Sequence, residues 1–463
     1  MSSKSEAIQE KLIPGVMKFA NSKIIMAVKD GVILSMPLTI IGSLFLLVQN
    51  FPFPTIAKWQ AFMNGVFGPN WQLPFNQVNM GTYKILALVF AFGIAAQYAK
   101  NEGCDPISSG ILGIVCFLVV SPTSVAYKVG DAIGAVKLKQ AFSIADNSII
   151  PTDWTGTKGM ITAIIVGLIV GYVYSLFINK DIVIHMPEGV PQGVVNAFSA
   201  LIPAAVLVIG SAVVFVIFHV LGAGTFSEWV YKTLEIPLQG ITDSLGGAIA
   251  IPLIISFFWW FGIHGAALAS GVMQAIYTAN FTANQDLVNK HIALVASGAG
   301  RNAHIIAQQF QDNFVVLGGS GITFGLVLSM ILFGRSQRCK TLGKLALVPG
   351  LFNINEPVLF GFPIVLNPFM FIPFIVVPLI SGLLTYLSIY FGLVPCFTGI
   401  LAPWTTPPII SGLIVASWQG AVLQIVIMLI STAIYLPFFK AQDKIYVAQE
   451  KQGAEVEGNG VDM

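Results

Sequence analysis

Residues 348–368 read VPGLFNINEPVLFGFPIVLNP, and the fold turns on how this stretch is read. Pro349, Gly350, Pro357, Gly361, Pro363 and Pro368 punctuate an apolar run whose centre holds Asn353, Asn355 and Glu356. Proline removes a backbone donor and glycine loosens the chain, so the stretch predicts a broken helix. Glu356 precedes a proline, which biases it out of the α region. Pro357 suits the first turn of a new half-helix, with Asn355 or Glu356 near its cap. A broken, polar-centred apolar segment is tolerated in a membrane only where it lines a cavity. In a membrane protein this is the signature of a substrate site.

Composition meets that condition. Hydrophobic residues fill 56% of 463 positions and charged ones only 10%, and the mean hydropathy is +0.82. So few charges cannot clothe a soluble chain of this length. The net charge of +2 gives no reason to expect a nucleic-acid partner. Cys104, Cys116, Cys339 and Cys396 show no metal-ligand spacing, so neither metal nor cofactor is expected. Roughly 23 polar or mixed residues precede the first apolar run without a small-residue cleavage site, which is not the pattern of a cleavable signal.

Working outward, the fold class is an all-α polytopic membrane protein of about ten transmembrane helices. A re-entrant hairpin, a partial hairpin within 266–308 and interfacial amphipathic helices complete it. Residues 1–30 form an N-terminal interfacial segment, amphipathic over 6–20. Its lysines place it in the cytoplasm. Spans follow near 31–48, 82–99, 107–127, 159–178 and 201–222, making an N-terminal transmembrane domain over 31–222. The connector 49–80 reads as an external loop, and 128–158 is placed outside by parity despite its lysines. Residues 180–200 read as a cytoplasmic turn entering an interfacial helix, and 223–248 as an interfacial connector. A C-terminal transmembrane domain fills 249–440, with apolar runs at 249–263, 266–279, 292–308 and 314–334 before the basic cluster Arg335, Arg338, Lys340 and Lys344. That cluster belongs in the cytoplasm, so three crossings are expected: 249–263, one within 266–308, and 314–334. Residues 348–368 then form a re-entrant hairpin from the cytoplasmic side. Spans at 369–391 and 411–437 return the chain inside, and 441–463 reads as a disordered cytoplasmic tail.

Several residues carry possible chemistry. A carboxylate at bilayer depth costs roughly 2.5–3.5 kcal/mol, so Glu356 is a functional candidate, with a buried ion pair or cap as the structural alternative. His264 lies in WWFGIHGAALASG, 259–271, between Gly262 and Gly265, where backbone can approach closely. Such a histidine is either packed and satisfied or part of a site. In SGAGRNAH, 297–304, Arg301 and Asn302 can donate to a hydroxylated ligand or simply form an exposed turn. Lys84 either reaches a ligand or snorkels to the interface. Trp404, in the broken stretch LAPWTTPP at 401–408, can stack on a sugar or anchor the interface. No nucleotide-binding or hydrolase motif stands in a usable context. Amides, a carboxylate, an imidazole, aromatics and a guanidinium suit a polyhydroxylated neutral ligand.

GIHG at 262–265 together with NINEPVLFGFPIVLNP at 353–368 resembles the EIIC sugar permeases of the bacterial phosphoenolpyruvate-dependent phosphotransferase system. The likeness is greatest to their lactose/cellobiose/diacetylchitobiose branch. The resemblance implies group translocation in the bacterial cytoplasmic membrane, with both termini inside. A β-linked disaccharide enters from outside, and its 6-hydroxyl takes a phosphoryl group from a phosphocysteine on a separate EIIB protein, itself supplied by EIIA. Glu356 is then expected to bind the sugar near that hydroxyl and to act as base. His264 is expected to hydrogen-bond the same region, with Asn353, Asn355, Arg301, Asn302, Lys84 and Trp404 as further sugar-binding candidates. It also implies a homodimer built through the N-terminal spans, with the C-terminal half carrying the sugar and two re-entrant hairpins. Cys339 is not expected to be the phosphocysteine, because no EIIB-like domain surrounds it; the basic loop suits docking of a phosphorylated partner. The competing reading is a secondary transporter in which Glu356 and His264 carry a coupling proton.

Overall fold

The computed structural model describes residues 14–15, 18–49, 56–127, 132–133, 136–137, 142–144, 149–290, 292–362 and 364–459. The amphipathic helix expected at 6–20 falls largely outside them. Helices carry the fold. Among the described residues the strands are confined to two short antiparallel ladders, Val125–Tyr127 with Phe142–Ile144 and Ala132–Ile133 with Val136–Lys137. Six helices are long and apolar enough to cross a membrane, or eight if each of two bent pairs is one span. Length alone therefore counts fewer than the ten or so expected. One reason is Pro106–Val119, which is apolar but only 14 residues long. It stops short of the expected 127 because Pro122 disfavours helix in the residue before it.

The first connector is not a loop. Ile56–Phe67 and Leu73–Gly81 are helices, and the Trp59 indole N–H donates to the Val48 carbonyl at 2.7 Å. Trp71 is buried between these helices and packs edge-on against Phe75. Leu86–Asn101 then forms the centre of the N-terminal half, packed by Lys23–Ile33, Pro106–Val119 and Met160–Asn179. Small residues let these backbones close in. A Cβ on Gly113 would stand 2.3 Å from the Ala91 carbonyl oxygen.

The connector after residue 222 is helical in pieces, Phe226–Val230, Tyr231–Glu235 and Ile236–Thr242. It turns through 85° into Leu245–Trp260. The stretches expected to cross before the basic cluster fall on Leu245–Trp260, Gly265–Asn289 and the bent pair Phe310–Ile322 and Phe324–Phe333, of which Gly265–Asn289 is not among the helices apolar enough to cross. The weakly apolar 292–308 is not helical, apart from its last residue or so. Gln337–Leu351 follows, ends at Phe352, and restarts as Glu356–Gly361 before Pro368–Tyr390, as the proline and glycine spacing demands.

The end of the chain departs from expectation. The last helix, Ile410–Asn459, is broken at Ala416 and Ser417 and then continues well past the expected limit at 437. Residues 441–459 are thus helical rather than a disordered tail. The sequence there is polar, but Asp443 and Tyr446 are buried against the rest of the protein, and tertiary contact holds the helix. The two halves of the chain meet where Lys23–Ile33 lies on Gly265–Asn289. A Cβ on Gly271 would sit 3.0 Å from the Lys29 Cα, and Tyr83 meets Phe281 edge-on at 5.6 Å. Beside this seam is an apolar cavity of about 230 Å³ lined by Ile25, Val28, Ile161, Leu238 and Leu268.

Candidate functional site

Two distant stretches of sequence come together around Trp260. Its carbonyl accepts from the Leu366 N–H at 3.0 Å, its indole N–H donates to the Asn367 carbonyl at 3.0 Å, and its ring packs on Phe371 at 4.8 Å. The GIHG turn is thereby pinned to the return arm of the hairpin. Gly262 takes φ +78°, which lets the chain reverse before His264 begins the next helix.

His264 is the N-cap of Gly265–Asn289. Its Nδ1 accepts the Ala267 N–H at 3.0 Å. An accepting Nδ1 carries no proton, so in the neutral ring the proton sits on Nε2 and is offered outward. The ring lies 4.5 Å from that of Trp259. This histidine is therefore both a cap and an outward-facing donor.

The hairpin tip is built by its asparagines. Asn353 takes φ +62°, a conformation asparagine tolerates. Its Oδ1 accepts the Gly318 N–H at 2.6 Å, and its Nδ2 donates to the carbonyls of Trp404 and Thr406. Asn355 donates through Nδ2 to the Ser320 carbonyl at 2.6 Å and to Thr323 Oγ1 at 3.0 Å. A Cβ on Gly319 would strike the Asn355 side chain at 2.4 Å, so these turns interlock. Both amides are buried and bound to protein. Glu356, the first residue of its half-helix, is exposed and has no hydrogen-bond or ion-pair partner among the described residues. The asparagines frame the tip, and the carboxylate is left to project. Trp404 joins this frame through its backbone, while its side chain is exposed.

The other candidates lie elsewhere. Arg301 is bound to Asp243, whose carboxylate also accepts from His304 Nδ1 at 3.0 Å and from the Ile305 and Ile306 N–H groups at 2.9 and 2.8 Å. Asp243 is buried and organises the 301–306 loop. Asn302 closes the same loop, accepting from the Val295 N–H and donating to the Ala293 carbonyl. Lys84 pairs with Asp153 at 3.3 Å, and Lys158 pairs with the same carboxylate at 2.9 Å. Burial works to raise the Asp153 carboxyl, but the bonds from Lys158 and Lys84 outweigh it and hold it below the usual carboxylate range. Cys339 is fully buried, which keeps its thiol from a partner's reach.

A polar wall escaped the reading of the sequence. Ser270, Gln274 and Tyr277 recur at helical spacing on the helix that His264 caps. Gln274 donates to Gln308 Oε1 at 3.0 Å, Gln311 donates to Ser270 Oγ at 3.0 Å, and Tyr277 donates to Gln311 Oε1 at 2.9 Å. Gln308 in turn donates to Asp312 at 3.1 Å. Ser270, Gln274, Gln308 and Asp312 are half-buried, so they keep hydrogen-bonding capacity for a ligand. The signal was present as QQFQDN at 308–313 facing a polar i, i+4, i+7 row in an apolar chain.

Comparison with known proteins agrees with this architecture. The family model described as "Phosphotransferase system, EIIC" matches residues 29–378. The lichenan permease IIC component of Bacillus subtilis (strain 168) is 37% identical over 459 residues, spanning 97% of this chain and 96% of that protein. The PTS system cellobiose-specific EIIC component of Geobacillus stearothermophilus is 36% identical, spanning 96% and 95%. Among solved structures, the transporter ChbC, the IIC component from the N,N'-diacetylchitobiose-specific phosphotransferase system, superposes with a TM-score of 0.87 at 35% identity. It covers 96% of this chain and 99% of its own. The chain belongs to the EIIC family of the phosphotransferase system. It is a membrane permease that handles a sugar together with a phosphorylated EIIB partner, which sets aside the proton-coupled alternative.

Proposed function

We propose that the sugar is a β-linked disaccharide of the cellobiose or diacetylchitobiose type, and that Glu356 and His264 act at its 6-hydroxyl. The observation that carries this is the pinning of the GIHG turn to the hairpin through Trp260. It ties the helix start that carries His264 to the hairpin that carries the exposed carboxylate of Glu356. The sugar oxygen attacks the phosphorus of the EIIB phosphocysteine, the S–P bond breaks, and the hydroxyl proton passes to Glu356. The Nε2–H of His264 steadies the charge growing on the same oxygen. Ser270, Gln274, Gln308 and Asp312 supply further hydrogen bonds to sugar hydroxyls, and the exposed Trp404 ring offers an apolar face. Asn353, Asn355, Arg301, Asn302 and Lys84 serve the framework that holds these groups.

The named relatives support the choice of sugar, handling lichenan, cellobiose and N,N'-diacetylchitobiose respectively. Residues 31–222 form the dimerising half and 249–440 the sugar-carrying half, with both termini in the cytoplasm. A homodimer accords with Leu201–Val220, which is largely unburied and exposes Ile209, Val213, Val216 and Val220. Uptake into vesicles, with and without purified phospho-EIIB, tests the mechanism. Sugar phosphate should accumulate inside only with phospho-EIIB; free sugar accumulating along a pH gradient would overturn it. Binding measured across cellobiose, diacetylchitobiose and lactose tests the sugar.

A further inference from the structure

The C-terminal helix after Pro437 makes a series of contacts that the sugar site does not use. Asp443 Oδ2 accepts the Arg335 N–H at 2.9 Å, and Oδ1 accepts the Ser336 N–H at 3.1 Å and the Ser336 hydroxyl at 2.7 Å. Glu450 accepts the N–H groups of Gln337 and Arg338 at 3.1 and 3.0 Å. Ser336 Oγ accepts the Cys339 N–H at 3.1 Å. Five successive backbone donors at the start of Gln337–Leu351 are thus satisfied, four of them by carboxylates from another helix. Helix starts are usually capped by a neighbouring side chain of their own segment, so a cap imported from more than a hundred residues away is a tertiary clamp. Asp443 and Glu450 stand two turns apart and face the same target, and Tyr446 between them takes the Arg338 guanidinium at 4.3 Å.

The same face reaches the other arm of the hairpin. Phe362, directly after Glu356–Gly361, meets Phe439 at 6.3 Å and Tyr446 edge-on at 6.1 Å. One short stretch of helix therefore grips the entering arm at 335–338 and the returning arm at Phe362. The tip between them is stapled by Asn353 and Asn355. With base, return and tip all held, the position of Glu356 follows from the clamp.

We infer that Asp443, Tyr446 and Glu450 are positioning residues for Glu356, acting from the polar end of the last helix through both arms of the hairpin. The inference rests on the reading of Glu356 as a sugar-site residue. Its test uses the full-length protein with Glu450→Gln and with Asp443→Asn plus Glu450→Gln. Loss of folding alone lowers the number of binding sites and leaves the affinity of the survivors unchanged. Loss of positioning weakens affinity and slows turnover at each remaining site. We expect the double variant to bind sugar about tenfold more weakly at unchanged stoichiometry, and to phosphorylate it about tenfold more slowly per bound sugar, with Glu450→Gln intermediate. Affinity and turnover within twofold of the parent's, or a fall in stoichiometry alone, would overturn the inference. A nitroxide at Phe360→Cys, in a chain whose native cysteines are alanine, reads the half-helix without reference to activity. Its spectrum should sharpen in the double variant, and an unchanged spectrum also overturns the clamp. If Glu356→Gln still phosphorylates sugar while the label loosens, the role of Glu356 fails and the clamp's hold on the hairpin stands.

Discussion

At the scale of single residues, what separates Glu356 from its neighbours is that the protein leaves it alone. Asn353 and Asn355 are buried and bonded to backbone, whereas the carboxylate one residue on has no protein partner among the described residues. Removing a positioned general base costs about 10²–10⁴-fold. Glu356→Gln should therefore lower sugar phosphorylation by that order while the protein remains folded in the membrane, as size-exclusion elution and phosphorylation rate together will show. His264 has two jobs that substitution can divide. His264→Ala removes the cap, worth about 1 kcal/mol, along with the outward donor. His264→Asn keeps a capping oxygen but withdraws the donor from its place. Both should phosphorylate poorly, and only the alanine variant should lose thermal stability. Glu356 and His264 were legible in the sequence because an ionisable group in an apolar run stands out. Arg301 stood out as well, but its partner Asp243 lies 58 residues away in a turn, and no local pattern announces such a pairing.

At the scale of elements, proline and glycine told where helices break but not what fills the breaks. The turns at 316–323, 352–355 and 404–406 are bound together by two asparagine side chains. Asn353→Ala strands the Gly318 N–H and two carbonyls, and a buried unsatisfied group costs about 1–3 kcal/mol. The variant should melt earlier and bind sugar more weakly; unaltered affinity would show that the frame does not set the site. The last helix was misjudged for a related reason. A polar segment after a final span looks unstructured when read alone, and its contacts with residues 335–338 and Phe362 explain why it stays helical. The connector at 49–80 misled in the opposite sense, because Asn, Pro and Trp mark loops and also mark short aromatic-faced helices at an interface.

For the whole molecule, apolar runs read before Arg335 fall on helices, Leu245–Trp260, Gly265–Asn289 and the bent pair ending at Phe333. How the halves touch was not legible, since nothing in a linear sequence pairs Gly271 with Lys29. That contact has a mechanical consequence. The helix that carries His264 at its start packs along Lys23–Ile33, with Gly271 against Lys29 and Phe281 edge-on to Tyr83, and an apolar pocket lies beside it. Small and apolar surfaces meet along this face, and no salt bridge joins the two helices among the described residues. Gly271→Leu puts a wedge into it. Sugar affinity in detergent should stay near the parent's while uptake into vesicles falls severalfold, and equal uptake would mean that the halves do not slide along this face. The glycine that looks least informative in the sequence would then set how fast sugar crosses.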